Sequence, residues 1–250
     1  MVNNEQKRKL LGIIGGLGPM SSAYFYELIT EHTKASRDQE HIDIILSSRA
    51  STPDRTDYIL GRSAENPLPC MVEDARSLEA YGATAIVIPC NTAHYFIDEV
   101  RRSVNVPVPS IIEETALYLK RSGAKKACIL ATEGTISSGS YQRVLEENGI
   151  EWETPDEDGK RALMDIIYGD VKGGVIPPPE KLYAVAEPLF ERGCDRAILG
   201  CTELSLLKRS LKGDPRFVDS LEVLAYVSIL LMGHEPKFDE TFSIQNTEVL

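Results

Sequence analysis

Short apolar runs alternate with amphipathic segments along most of the chain. The apolar runs are rich in Ile, Leu, Val and Ala and lie at 10–14, 42–46, 85–88, 127–130 and 197–199. Between them, apolar residues recur with helical spacing at about 21–34 and 71–81, and again from Thr92 onwards. Strands that alternate with helices at this spacing predict an α/β fold, in which helices cover both faces of parallel sheets. Ligands of such folds bind beyond the carboxyl ends of the strands.

The sequence contains two related halves. When the chain is shifted by 116 residues, the glycine segment 18–22 falls on 134–138, and both segments follow an apolar strand. With a shift of 111 residues, Cys90 falls on Cys201, and the strands before these two cysteines coincide. Two matches at nearly the same shift indicate a duplicated α/β unit. The alternative is similarity without duplication, since every β–α unit needs a strand, a turn and a helix cap.

The repeat predicts two α/β domains. We place the first at 1–115 together with 216–235, and the second at 116–215. The return of 216–235 to the first domain follows from a weaker match between 110–116 and 219–225, which suggests that the last strand and helix of each half cross to the other half. The remaining residues, 236–250, are predicted to form a C-terminal tail, because they show no clear period.

Charge and composition exclude several classes of protein. The 27 Lys and Arg residues against 38 Asp and Glu give a net charge of −11, with no dense basic run, which argues against nucleic-acid binding. No apolar run approaches the roughly 20 residues that a membrane span requires. The polar N-terminus lacks an apolar run of signal-peptide length behind it, so we expect a cytoplasmic protein. The five scattered cysteines are unlike a secreted disulfide framework.

Two cysteines carry the strongest chemical signal. Cys90 and Cys201 each follow a predicted strand and precede a predicted helix, in the segments Pro-Cys-Asn-Thr at 89–92 and Gly-Cys-Thr-Glu at 200–203. At such a place, free backbone N–H groups and the positive end of a helix dipole favour a thiolate and bind carboxylates. Thiols on both sides of one substrate can take a proton from one face of a carbon and return one to the other face.

The same segments offer partners for a substrate α-carboxylate. Its oxygens would rest on the N–H groups and side chains of Asn91, Thr92 and Thr202. The alternative is that the two cysteines are buried and inert, as free cysteines often are. The other three lack a position at a strand end and are assigned to the core: Cys70, Cys128 and Cys194.

A glycine-rich turn follows the first strand. Its segment 16–18 fits the start of a dinucleotide-binding fingerprint, but Ser21 stands where the third glycine belongs, and Pro19 lacks the N–H that a pyrophosphate would use. We therefore interpret the turn as a place where a small anionic ligand approaches the backbone. Thr132 and Thr135 occupy the equivalent place in the second half and are candidate binding residues.

Two cations are candidates for holding a second carboxylate. Arg55 lies in the segment Pro-Asp-Arg-Thr at 53–56, and Lys172 precedes a glycine pair. Arg pairs with a carboxylate through two parallel N–H bonds. The alternatives are a surface Arg that pairs with an acid of its own turn, and a Lys at a helix end. Arg49 adds a further cation near the predicted site.

Metal and serine chemistry find little support. His94 follows Cys90 by four residues, which could place two metal ligands on one helix face, but no third or fourth ligand stands at a recognisable spacing. Glu133 and Glu203 could instead act as supporting acids. A serine hydrolase is not indicated, because the sequence has no Gly-x-Ser-x-Gly segment.

Together, the quoted segments resemble the aspartate/glutamate racemase family, and within it the aspartate racemase branch. The resemblance covers about 10–228. It rests on Gly-Gly-Leu-Gly-Pro at 15–19, Pro-Asp-Arg-Thr at 53–56, Pro-Cys-Asn-Thr-Ala-His at 89–94, Ala-Thr-Glu-Gly-Thr at 131–135 and Gly-Cys-Thr-Glu at 200–203. It implies two Rossmann-like domains with parallel sheets, related by a pseudo-two-fold axis, with the active site in the cleft between them.

The resemblance also implies an activity, the cofactor-independent racemisation of an acidic amino acid, with aspartate first. Cys90 and Cys201 match the family's two acid/base cysteines, and Arg55 and Lys172 match the residues that hold the side-chain carboxylate. The resemblance further implies a homodimer that uses neither pyridoxal phosphate nor a metal. The segment 47–51 departs from the amide- and proline-rich loop usual in the aspartate branch. This departure leaves glutamate or a broader specificity open.

Other functions stay open at this point. One is a related enzyme with a different substrate, such as a maleate isomerase, an arylmalonate decarboxylase or a hydantoin racemase. The cation pair argues against the hydantoin case, because it implies a second carboxylate. Another is an amino-acid binder without catalysis, which would leave the Cα proton in place. A pyridoxal phosphate enzyme would be distinguished by a coloured, Lys-bound cofactor.

Overall fold

A computed structural model describes residues 8–211 and 213–237. The strands of this part are β1 (Leu11–Gly15), β2 (Ile44–Ser48), β3 (Ala85–Val87), β4 (Lys126–Ala131), β5 (Glu151–Glu153), β6 (Arg196–Gly200) and β7 (Phe217–Asp219). Its α-helices are α1 (Pro19–His32), α2 (Arg55–Ile59), α3 (Leu68–Tyr81), α4 (Ile97–Ser103), α5 (Ile111–Arg121), α6 (Glu133–Ser137), α7 (Ser140–Glu147), α8 (Glu157–Met164), α9 (Glu180–Glu191), α10 (Thr202–Ser205) and α11 (Ser220–Leu231). In the described ranges, no helix combines the length and the apolar character that crossing a membrane requires.

The strands form two sheets, and all the strand pairs are parallel. The first sheet has the order β2-β1-β3, and the second has the order β5-β4-β6-β7. β1 and β4 hold the same central place in the two sheets, as the internal repeat predicts. The predicted fold class, two α/β domains with parallel sheets, is therefore confirmed.

The repeat continues beyond the third strand of each half. The Ala197 N–H donates to the Arg216 carbonyl at 2.7 Å where β7 joins the second sheet, and the Ile86 N–H donates to the Pro107 carbonyl at 2.9 Å in the first sheet. Helix α11 follows β7, and helix α5 follows the segment that contains Pro107. The segment before α5 therefore lies beside β3 much as β7 lies beside β6.

The two helices α5 and α11 pack across the two halves. A side chain caps each one, Ser110 for α5 and Asp219 for α11. α5 packs against α7, and α11 packs against both α1 and α5, whereas β7 itself belongs to the second sheet. The boundaries 1–115 with 216–235, and 116–215, stay a prediction. Most of the predicted tail at 236–250 lies outside the described residues, which end at 237.

Three apolar clusters hold the elements together. The largest lies between the two sheets and joins Ile13 of β1, Ile129 of β4 and Leu224 of α11. The other two surround Ile86 in the first sheet and Leu199 in the second. Each fully buried side chain of this kind contributes roughly 1.5–3 kcal/mol. The shared central cluster therefore fixes the two halves, and the cleft between them, relative to each other.

Local structure differs from the sequence prediction beside both cysteines. The segment after Cys90 opens with a 3₁₀ helix at Thr92–Phe96 before α4 begins, and α10 after Cys201 has only four residues. A π-helix at Asp165–Val171 precedes Lys172. β5 escaped prediction, because its three residues, Glu-Trp-Glu, are largely exposed and form no apolar run.

Candidate active site

A narrow cavity lies where the carboxyl ends of the strands of both sheets meet. Its walls come from the segments that follow β1, β2 and β3 in the first sheet and β4 and β6 in the second, with two side chains from the π-helix region. The lining residues are Leu17, Asp54, Arg55, Thr56, Cys90, Asn91, Thr92, Thr132, Tyr168, Lys172, Cys201, Thr202 and Glu203. This is the place where open α/β sheets bind ligands.

Eight of the nine site residues proposed from the sequence line this one cavity. They are Arg55, Cys90, Asn91, Thr92, Thr132, Lys172, Cys201 and Thr202. The ninth, Thr135, is 1% exposed and hydrogen-bonds to two of the lining threonines. The roles assigned to these residues stay predictions, but the structure brings them together from segments far apart in the chain.

Cys90 lies in a loop that a buried histidine fastens. His94 Nδ1 lies 2.8 Å from the Cys90 carbonyl oxygen, and His94 Nε2 lies 3.1 Å from the Ile111 nitrogen. Because Nε2 accepts the Ile111 N–H, the ring proton lies on Nδ1 and is donated to Cys90. Burial lowers the pKa of His94 to about 4, so the ring is neutral at pH 7. His94 thus joins the Cys90 loop to the start of α5.

A metal role for His94 finds no support in the geometry. Both ring nitrogens are used in the hydrogen bonds to the backbone of Cys90 and Ile111. Within residues 8–211 and 213–237, no group of three or more His, Cys, Asp or Glu side chains could hold a metal ion. The spacing of four residues between Cys90 and His94 serves to fix a loop.

Cys201 lies against an acid. Its thiol donates to Glu203 Oε2 at 2.8 Å, and the residues are 4% and 6% exposed. Burial, followed by the charge of Glu203, raises the pKa of Cys201 well above its usual range. The expectation that a helix N-terminus favours a thiolate is wrong for this cysteine, because α10 is only one turn long and a carboxylate lies beside the sulfur. All five cysteines are free thiols.

A chain of buried hydrogen bonds fastens Asn91 to the second half. The Tyr141 hydroxyl donates to Asn91 Oδ1 at 2.7 Å, Asn91 Nδ2 donates to Ser220 Oγ at 3.0 Å, and this hydroxyl donates to the Leu199 carbonyl at 2.8 Å. The Asn91 amide therefore has one N–H left for a ligand. The Asn91 side chain is thus bound mainly to other protein groups, Tyr141 and Ser220. The sequence contains no motif that indicates the contact with Tyr141.

Three threonine hydroxyls form a closed ring across the cleft. Thr92 Oγ1 lies 3.0 Å from Thr132 Oγ1 and 2.9 Å from Thr135 Oγ1, and the latter two are 3.0 Å apart. Thr92 belongs to the first half, whereas the other two flank the start of α6 in the second. Hydroxyl protons rotate freely, so the ring can turn donors toward a carboxylate.

The two predicted cations, Arg55 and Lys172, both line the cavity but have different partners. Arg55 is 9% exposed and donates three hydrogen bonds, to the carbonyls of Leu17, Thr52 and Pro53. Its Nε is buried and has no partner within the described residues. A guanidinium has five N–H donors, so Nε–H and one further N–H remain for a ligand. The alternative of a surface Arg that pairs with Asp54 or Asp57 is wrong.

Lys172 lies at the end of the π-helix. Its Nζ is 4.0 Å from Glu203 Oε1 and 4.3 Å from the centre of the Tyr168 ring. Burial alone would lower the pKa of Lys172, but attraction to Glu203, together with smaller effects of Tyr168, Cys201 and Asp54, outweighs burial and raises it. The ammonium group therefore stays charged beside the cavity.

The structure corrects one hypothesis, on Arg49, and shows the packing of the glycine turn. Arg49 does not line the cavity, because its guanidinium pairs with Asp74 and Glu73, each at 2.9 Å. The glycine turn after β1 packs against protein backbone at Gly16, and the binding of an anion at this turn stays a prediction. Gly16 has a φ of +79°, and a Cβ there would lie 2.4 Å from the backbone of Arg49.

A second chamber opens next to the narrow cavity. The inner cavity has a volume of only about 10 Å³, room for one water molecule, whereas the outer chamber has about 420 Å³. Asp54, Arg55, Lys172 and Glu203 line both. The outer chamber adjoins the inner cavity through these four residues, and the inner cavity must widen to admit any ligand larger than a water molecule.

Comparison with known proteins places the chain in a family. Residues 14–227 match the Asp/Glu/hydantoin racemase family. The broad-specificity amino-acid racemase RacX of Bacillus subtilis (strain 168) is 28% identical over 220 residues, 86% of this chain and 95% of that protein. A glutamate racemase of Aquifex pyrophilus is 33% identical over 172 residues, 66% of this chain and 65% of that one. The chain belongs to the Asp/Glu/hydantoin racemase family.

The solved structures agree with this assignment. Picrophilus torridus aspartate racemase superposes with a TM-score of 0.81 at 29% identity, and the match covers 95% of this chain and all of that one (100%). The protein is thus an amino-acid racemase, an isomerase of the cofactor-independent Asp/Glu type. The relatives differ in substrate, since one is an aspartate racemase, one a glutamate racemase and one broadly specific.

Proposed function

We propose that this protein interconverts L- and D-aspartate by a two-base mechanism, with Cys90 and Cys201 as the bases. One observation carries the proposal: the two cysteines come from equivalent positions of the two halves and line the same narrow cavity. A thiolate on one side removes the Cα proton, and a thiol on the other side donates one to the opposite face. The configuration at Cα is thereby inverted.

Charge complementarity supports an acidic substrate. The two free N–H donors of Arg55, including the buried Nε, and the Lys172 ammonium face the cavity mouth and suit a side-chain carboxylate. The α-carboxylate would meet Thr92, Thr202 and the remaining N–H of Asn91 in the interior. The ring of hydroxyls formed with Thr132 and Thr135 would supply further donors.

The small volume of the inner cavity supports the proposed catalysis, because a bound substrate would be shielded from water. In a cavity this small, water is displaced once an amino acid is bound, which strengthens each charge contact as negative charge develops at Cα. The similarity to an aspartate racemase over almost the whole chain supports aspartate as the first choice. We also propose a cytoplasmic homodimer, as the sequence resemblance implies, and light scattering would measure its mass.

A second candidate substrate is supported by the outer chamber. Its volume of about 420 Å³ continues from the inner cavity past Arg55 and Lys172, the residues proposed to hold the side chain. A longer side chain, such as that of glutamate, could extend in this direction. Glutamate or a broader set of amino acids is therefore the alternative, as found in some of the relatives.

Cysteine variants test the mechanism. We expect Cys90→Ala and Cys201→Ala each to lower racemisation of aspartate by about 10²–10⁴-fold, because each removes one of the two proton-transfer groups. Chiral chromatography would follow the reaction from each enantiomer. Cys70→Ala is the matched control, since Cys70 is a half-exposed free thiol on α3 outside the cavity. Near-normal activity in either cavity variant would refute the two-base mechanism.

A further inference from the structure

One carboxylate of the cavity contacts a cysteine thiol directly. Glu203 Oε2 accepts the Cys201 thiol at 2.8 Å, while its other oxygen, Oε1, lies 4.0 Å from Lys172 Nζ. A Cβ added to Gly18 would approach Oε1 to 2.9 Å, so the carboxylate fills space that a glycine leaves open. Glu203 is therefore held in a fixed place between Cys201 and Lys172.

The two cysteines differ in this respect. Within the described parts of the chain, the Cys90 thiol has no carboxylate hydrogen-bonded to it, and its loop is fastened through the backbone to a neutral imidazole. A thiolate at Cys201 would lie beside the negative charge of Glu203, whereas a thiolate at Cys90 would not. Like charges at this distance disfavour ionisation of the second group.

Several other charged or titratable groups face Cys201. They are Asp54 and Arg55 at the start of α2, Cys90 after β3, Tyr141 on α7, and Tyr168 and Lys172 at the π-helix. The two cations oppose the effect of Glu203. Arg55, however, already donates to three carbonyls, and Lys172 Nζ lies 4.0 Å from Glu203 Oε1 and 4.3 Å from the centre of the Tyr168 ring. After burial itself, Glu203 has the largest effect on the pKa of Cys201, because it is charged and accepts the hydrogen bond of the thiol.

We propose that Glu203 is a positioning residue that acts through Cys201 and sets the resting state of the pair, with Cys201 as the thiol that donates and Cys90 as the thiolate that accepts. This inference rests on the proposed function. When the Cα–H bond breaks, the proton goes to Cys90 and the electron pair stays on Cα. Cα then takes the proton of Cys201, which leaves a thiolate beside Glu203, and Lys172 offsets the added negative charge. Proton exchange with water after product release restores the resting state.

Alkylation of the two thiols tests the inference without any substrate. Reduced protein would be treated with iodoacetamide between about pH 6 and 10, and each modified cysteine quantified by mass spectrometry. We expect Cys90 to react at lower pH than Cys201. In Glu203→Gln, reaction of Cys201 near neutral pH should rise at least about tenfold, while Cys90 is unchanged. Glu203→Asp, which keeps the charge, should stay closer to the wild type.

Two further variants complete the test, one as a control and one as a substitute for Glu203→Gln. Glu133→Gln is the matched control, because Glu133, the other acid considered from the sequence, does not line the cavity but is half-exposed and pairs with Arg62. Both thiols should react in it as in the wild type. Should Glu203→Gln fail to fold, Lys172→Met removes the cation beside Glu203, and we expect it to slow the alkylation of Cys201 severalfold.

The outcomes separate this inference from the proposed function. An unchanged Cys201 profile in Glu203→Gln, or an equal shift for Cys90, would overturn the role of Glu203. The racemase proposal would still stand if both cysteine variants abolish racemisation. Conversely, the alkylation profiles report on Glu203 even if aspartate turns out not to be the substrate.

Discussion

The hydroxyl of Tyr141 can be tested by removing a single oxygen atom. The side chain is fully buried (0% exposed) and donates at 2.7 Å to Asn91 Oδ1, next to Cys90. Tyr141→Phe keeps the ring and its apolar packing but leaves the Asn91 oxygen buried without this donor. A buried acceptor left unpaired costs about 1–3 kcal/mol. At roughly 2–4 °C per kcal/mol for a chain of this size, we expect the Tm to fall by about 2–12 °C.

The same variant should slow the reaction, because Asn91 connects the Cys90 loop to the second half through Ser220. A misplacement of about 1 Å can cost up to about 10²-fold in rate, so we expect an intermediate loss of about tenfold in kcat/KM. Calorimetry and chiral chromatography would give the two numbers.

Tyr81→Phe is the control for Tyr141→Phe. Tyr81 is 74% exposed, so its variant should stay within about 0.5 kcal/mol of the wild type. If Tyr141→Phe itself keeps a Tm within about 1 °C of the wild type and a kcat/KM within about twofold, the reasoning for Tyr141 is refuted. Such a result would mean that the hydrogen-bond chain does not hold the Cys90 loop in place.

The cation Arg55, the buried imidazole of His94 and the expected independence from metal give further tests. Arg55→Ala should lower kcat/KM for aspartate far more than for alanine or serine, since only aspartate offers a second carboxylate. Equal losses for the three substrates would show that Arg55 does not recognise the side chain. Circular dichroism would check that the variant folds. Because burial lowers the pKa of His94 to about 4, against about 6.5 in an unfolded chain, the unfolded state binds a proton between these values that the folded state does not. The free energy of unfolding should therefore fall by up to about 3 kcal/mol as the pH drops from about 6.5 to 4, and denaturant titrations of His94→Gln should show a flatter dependence; an equally steep curve would contradict this. Dialysis against EDTA should leave racemisation unchanged, and a loss restored by a divalent metal would speak for a metal site.

Much of the fold could be predicted from the sequence, because most of its strands lie in apolar runs between helical segments. The central strands β1 and β4 are fully or almost fully buried, and the internal repeat pointed to their equivalence. Residues at strand ends could be predicted to meet, since parallel strands end at a common edge of the sheet. By this rule, Cys90 and Cys201 could be predicted to line one cavity, although they are more than a hundred residues apart in the chain.

Side-chain partners could not be predicted in the same way. Arg49 was expected near the site, but its direction depends on Asp74, a buried acid on α3 that only the packing brings close. The thiolate expected at Cys201 depended on helix length and on the rotamer of Glu203, and neither is encoded in a local pattern. Tyr141 carries no motif at all, and its contact with Asn91 joins residues of different halves.

Exchange of the Cα proton tests the central claim most directly. Purified, reduced protein without added cofactor would be placed in D₂O with L-aspartate, and separately with L-glutamate. Proton NMR would follow the Cα signal, and chiral chromatography would measure the enantiomers. We predict loss of the Cα proton of aspartate together with formation of deuterated D-aspartate, and slower exchange for glutamate. A Cα signal that persists with both acids, although they bind, would contradict racemisation of acidic amino acids by Cys90 and Cys201.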